Sequence, residues 1–189
     1  MIYEYAVDPD LVASWGDLRD YRYFSKEFGI GTPRIVAAFP NRKKWRKNIL
    51  KLAQILPALH RDRVIEIVRI MSERMTNRNQ VNYDENTSWE NNAVIENKKL
   101  PFEAIFTLNN HENYHFIITP STIDNSYIWD VERGVIIERN SVEMAGIICP
   151  MLQKANNIIF VDPYFAPHED RYFKSFKPGL CSNNRCKNI

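Results

Sequence analysis

The stretch Ile158-Ile159-Phe160-Val161-Asp162-Pro163-Tyr164-Phe165 constrains the fold most. Four apolar residues in succession suit a strand covered on both faces, as in a parallel sheet. Proline lacks an amide hydrogen for the ladder and favours an extended residue before it, so Asp162 is expected at the strand's carboxyl end. Open α/β sheets bind ligands at that edge, which makes Asp162 a candidate site residue, with His168 shortly after it. The plainer reading is a turn aspartate that accepts nearby amides.

The preceding chain divides by charge. From Arg19 to Arg78 there are 15 Lys and Arg against 5 Asp and Glu; from Val81 to Asn140 there are 4 against 10. Such asymmetry fits a nucleic-acid surface, or two regions that attract each other. Asp8-Pro9 reads as a helix start, Leu18 to Phe28 has helical spacing, and Arg34 to Phe39 reads as a short strand. The clearest helix opens on Asn41 as cap, with Trp45, Ile49, Leu52 and Leu56 on one stripe. Lys43, Lys44, Arg46, Lys47 and Lys51 fall outside that stripe with no acid between them, forming a candidate phosphate-binding face; the alternative is a solvated helix surface. A second helix after Pro57 makes a helical hairpin. Thr76 to Asn92, rich in Asn, Asp, Glu and Ser, reads as a linker.

Beyond it, Phe102 to Leu108, His115 to Thr119, Tyr127 to Trp129 and Val135 to Glu138 read as strands of a small antiparallel sheet. Asn140 and Glu143 form a capping box for a further helix. His111-Glu112-Asn113-Tyr114-His115 matches the H-E-x-x-H string of zinc hydrolases, which works when a helix puts both histidines on one face. Its surroundings favour a turn running into a strand, where residues four apart lie about 13 Å from each other, too far to share a metal. A zinc hydrolase using His111, Glu112 and His115 is therefore the alternative reading, and otherwise no cofactor is expected.

The helix ending Leu152-Gln153-Lys154-Ala155-Asn156-Asn157, running into Ile158 to Phe165, resembles the opening of phospholipase D-like domains, in particular those of bacterial proteins in a mobile-element or defence context. The likeness covers Asn140 to Phe176. It implies a phosphodiester or nucleic-acid substrate and catalysis by an H-x-K motif, often in dimers. None of His60, His111, His115 or His168 is followed two places later by lysine, so no catalytic residue carries over. The irregular tail Lys177 to Ile189, with Cys181 and Cys186, is expected to follow a truncation before the catalytic part.

The expected protein is thus α+β: a basic, mainly helical region over 1–80, an acidic strand-rich region over 81–139, the start of a phospholipase D-like domain over 140–176 and a tail over 177–189. It is expected to be cytoplasmic, since no apolar run approaches the ~18 residues of a membrane span, and non-catalytic, since no histidine stands in an H-x-K motif. Nucleic acid is the expected partner, together with a second copy or another protein covering the exposed edge of an incomplete sheet. A purely structural or partner-binding module is the remaining alternative.

Overall fold

The computed structural model describes residues 2–132, 134–138 and 140–154. The chain divides into two compact units, Tyr3–Val131 and a second that holds the last described helix. In the first unit, β1 (Tyr3–Val7) leads to α1 (Pro9–Ser14), α2 (Leu18–Glu27), β2 (Arg34–Ala38), α3 (Arg42–Ala53), α4 (Ala58–Glu73) and β3 (Thr76–Asn77). Then follow α5 (Trp89–Lys99), β4 (Ala104–Phe106), β5 (Ile117–Ile118) and a 3₁₀ turn at Ile123–Asn125; α6 (Ser141–Lys154) belongs to the second unit.

The chain is a mixture of helices and a small sheet, as expected, but the sheet is parallel throughout, in the order β3-β2-β1-β4-β5. This corrects the antiparallel expectation, and burial explains the difference. Ala104, Ile105 and Phe106 are all buried, so the alternation around them separates two apolar faces of the sheet, not core from solvent. Tyr5, Val7, Val36, Ala38, Phe106 and Ile118 face a core built with α1 to α4. Ala6, Ala37, Phe39, Ile105 and Ile117 face a second core with Ala93 and Val94 of α5. Right-handed crossovers account for this division, because β1 to β3 advance outward in one direction and α5 carries the chain back across to β4.

No helix joins β4 to β5. Tyr114 and Phe116, stacked with ring centroids 5.0 Å apart, pack on the second core instead and bring the chain back to a parallel register, Ile105 opposite Ile117. Tyr127 to Trp129 is a turn and not a strand: Ile128 and Trp129 are buried anchors, held by Tyr5 Oη donating to the Ile128 carbonyl at 2.8 Å and by Arg34 donating to the Trp129 carbonyl. Residues 134–138 are irregular as well, with Ile136 fully exposed.

The polar stretch expected to be a linker is built into the fold. It supplies β3, the Ser88 cap of α5 and the buried Asn92, whose amide accepts from Asp84 N at 2.8 Å and donates to the Asp84 carbonyl at 2.9 Å. The basic and acidic regions accordingly share one sheet, β1 to β3 coming from the first and β4 and β5 from the second. The cap of α6 forms in half: Asn140 Oδ1 accepts from Glu143 N at 2.9 Å, while the Glu143 carboxylate takes Glu138 N at 3.0 Å.

Candidate functional site

Local chemistry and packing together orient α3. Asn41 Oδ1 accepts from Lys44 N at 2.9 Å and caps the first turn. Trp45, Ile49 and Ala53 are fully buried, and Trp45 Nε1 donates to the Val7 carbonyl at 2.7 Å, which fastens the helix to the end of β1. The opposite side is then left to solvent. Lys43, Arg46, Lys47 and Lys51 are exposed there and, with Leu50 and Gln54, line an open depression along the helix.

Lys44 departs from this set. It is half-buried, paired with Glu85, and its Nζ lies 4.2 Å from the Tyr83 ring centroid. Most other cations of the basic region are likewise engaged. Arg34 pairs with Glu27 at 2.5 Å, Arg42 donates to the Met75 carbonyl at 3.1 Å, and Arg63 donates to the Gly16 carbonyl at 3.1 Å. Arg69 pairs with Glu66 at 2.8 Å and also with Glu73, Arg74 donates to the Thr32 carbonyl at 2.7 Å, and Arg78 holds Glu4 at 3.0 Å. Among the described residues, Lys43, Arg46, Lys47 and Lys51 form no ion pair, and α3 contains no acid. Much of the charge excess of the sequence is thus held in structural arginines, while these four cations of α3 share one exposed face.

The H-E-x-x-H string lies in the β4–β5 connection. His111 and Glu112 form a turn, Asn113 has a left-handed φ of 53°, and Asn110 closes the loop by accepting from Tyr114 N at 2.9 Å and donating to the Tyr114 carbonyl at 2.9 Å. The string therefore lacks the helical turn that would bring its histidines together, and His111 and His115 are both exposed. Among the described residues no three His, Cys, Asp or Glu side chains are grouped to hold a metal ion, and no helix is long and apolar enough to cross a membrane. Asp162 and His168 lie outside the described residues, as does the phospholipase D-like stretch beyond Lys154.

A strand-end aspartate of the expected kind is present elsewhere. Asp8 follows β1 at the point where the strand order reverses between β1 and β4, the usual ligand-binding crevice of such sheets. Its amide donates to the Phe106 carbonyl at 2.9 Å, and its carboxylate accepts from Asp10 N at 3.0 Å. The sequence carried a signal for it, since Val7-Asp8-Pro9 repeats Val161-Asp162-Pro163.

Burial, reinforced by the charges of Asp10 and Glu90, raises the Asp8 carboxyl to about 6 against the hydrogen bond from Asp10 N. Such a group binds a proton more tightly folded than unfolded. Its contribution to stability is therefore greatest below the ordinary carboxyl value of 3.8 and is lost as pH rises to about 6. Asp8→Asn keeps the cap and removes the titration. The variant is expected to overtake the wild type in the free energy of urea unfolding between pH 4 and 7, by up to about 3 kcal/mol; parallel pH profiles for the two proteins would refute this.

Set against models of protein families, curated proteins and solved structures, the chain matches none of them.

Proposed function

We propose that this chain is a binding protein for nucleic acid, and not a catalyst, with Lys43, Arg46, Lys47 and Lys51 of α3 contacting backbone phosphates. The observation that carries this reading is the run of exposed cations on one helix face with no acid to neutralise it. From Lys43 to Lys51 the face extends about 12 Å, too long for a single phosphate group and suited to a chain of them. Flexible lysines at the surface hold phosphates without reading bases, so little sequence preference is expected. The resemblance of 140–176 to phospholipase D-like domains, whose substrates are phosphodiesters, points to the same ligand class.

The test is fluorescence anisotropy on a duplex of arbitrary sequence between about 50 and 200 mM salt. Four phosphate contacts give a slope of log K against log salt of about −3.6. Lys43→Glu with Lys47→Glu halves that slope and weakens binding at low salt by roughly tenfold or more, equally for unrelated sequences. Unchanged affinity of this variant at low salt would overturn the proposal.

A further inference from the structure

The phosphate-binding face of α3 ends on exposed aliphatic side chains. Ile55 is 87% exposed and Leu59 60%, with Pro57 and Ala58 exposed between them, while Leu56 is turned into the core. A lone aliphatic residue at a surface is ordinary; two on one hairpin tip beside a charged face form a patch that calls for an occupant.

The tip is continuous with the cations. Within α3, Lys43, Lys47 and Lys51 succeed one another at intervals of four residues, so one row of side chains runs cation, cation, cation, and Ile55 follows two residues past the end of the helix. Each step rises about 6 Å, close to the axial rise of two successive phosphates on one DNA strand at about 3.4 Å each. The tip is also held in place: Gln54 N donates to the Lys51 carbonyl at 3.4 Å, Leu56 N to the Ala53 carbonyl at 3.1 Å, and Arg61 N to the Pro57 carbonyl at 2.9 Å.

Resting on the reading of α3 as a phosphate-binding face, we propose that Ile55 and Leu59 form an apolar wedge that enters the minor groove of duplex DNA and opens a base step. The ligand class is then deformable duplex. Ile, Leu and Pro beside phosphate contacts are the side chains that minor-groove proteins use to unstack a step and bend the helix. A single-stranded ligand would call for exposed aromatic rings to stack on, and neither α3 nor the tip presents one, its single aromatic residue, Trp45, being buried. A bilayer would accept cations and aliphatic groups, yet the tip has no Trp or Tyr of the kind that anchors at a membrane interface.

The experiment measures end-to-end energy transfer in labelled duplexes with either a central TA step or a stiff A-tract, mixed with the full chain. The wild type is expected to bend the TA duplex and to prefer it roughly fivefold, since a flexible step costs less to deform. Ile55→Ser with Leu59→Ser abolishes both bending and preference, leaving A-tract affinity, salt slope and unfolding midpoint unchanged. If that variant bends and discriminates like the wild type, the wedge is refuted while the phosphate-binding face stands. If the wild type binds no duplex at low salt, the reading of α3 itself fails. Flotation with vesicles containing phosphatidylserine that depends on Ile55 and Leu59, without DNA bending, would assign the tip to membrane and overturn the wedge.

Discussion

Replacing Trp45 by alanine lowers the free energy of unfolding by about 3–5 kcal/mol. The indole is fully buried where α3 meets the sheet and belongs to the larger core. Its removal leaves a cavity in a core whose neighbouring side chains come from α1, α4 and the strands, so collapse around the gap is limited by several rigid elements. It also strips the Val7 carbonyl of its 2.7 Å donor at the buried end of β1. Trp45→Phe separates the two effects, since it restores most of the packing and none of the hydrogen bond; a loss of about 1–3 kcal/mol is expected. Urea unfolding with an unchanged slope is the measurement. A Trp45→Ala loss within the range of ordinary surface substitutions would show that α3 is not held to β1 through this residue.

Arg78→Ala is the second large effect, about 3–5 kcal/mol. The Arg78 side chain is 1% exposed; its Nε lies 3.0 Å from Glu4 Oε1, its Nη1 lies 3.6 Å from Glu96 Oε1, and the guanidinium donates to the carbonyls of Leu100 at 2.6 Å and Pro101 at 3.3 Å. The same group lies 3.6 Å from the Phe102 ring centroid. Glu4 sits in β1, Arg78 just after β3 and Glu96 in α5, so one cation joins the basic and acidic regions of the sequence. Truncation leaves the Glu4 and Glu96 carboxylates, both buried, without this counter-charge. Arg78→Lys is expected to recover only part of the loss, because an ammonium cannot hold a carboxylate and two carbonyls in the planar arrangement of a guanidinium. Equal stability of Arg78→Lys and the wild type in thermal unfolding would mean that charge alone matters here.

The contrast between these arginines and the α3 lysines marks what could be read in advance. The helices α1 to α4 were legible because their signals are local: Asp8 and Asn41 as caps, proline after Asp8, and buried residues at helical intervals along α3. The outward placement of Lys43, Arg46, Lys47 and Lys51 followed from the same stripe. That Lys44 turns aside to Glu85 and Tyr83 was not legible, since those partners come from a loop 40 or so positions on, which only the crossover through α5 brings alongside.

Strand direction shows the same limit. The string around Phe106 alternates in residue type, and alternation reads as one solvated face; the second face is covered here by α5, Tyr114 and Phe116, none of which the strand itself encodes. Trp129 and Ile128 looked like strand residues because burial and strand propensity favour the same side chains.

Sequence by itself determined the helices of the first half, the Asp8 and Asn41 caps, and the cationic face of α3, because hydrogen bonding and periodicity act within a few residues of one another. Tertiary structure alone decided that the sheet is parallel, that Asp8 stands at its switch point with a raised affinity for its proton, and which cations are consumed in holding the fold. Those outcomes depend on burial and on charges brought together across the chain, and desolvation acts on a group only once distant residues have closed around it.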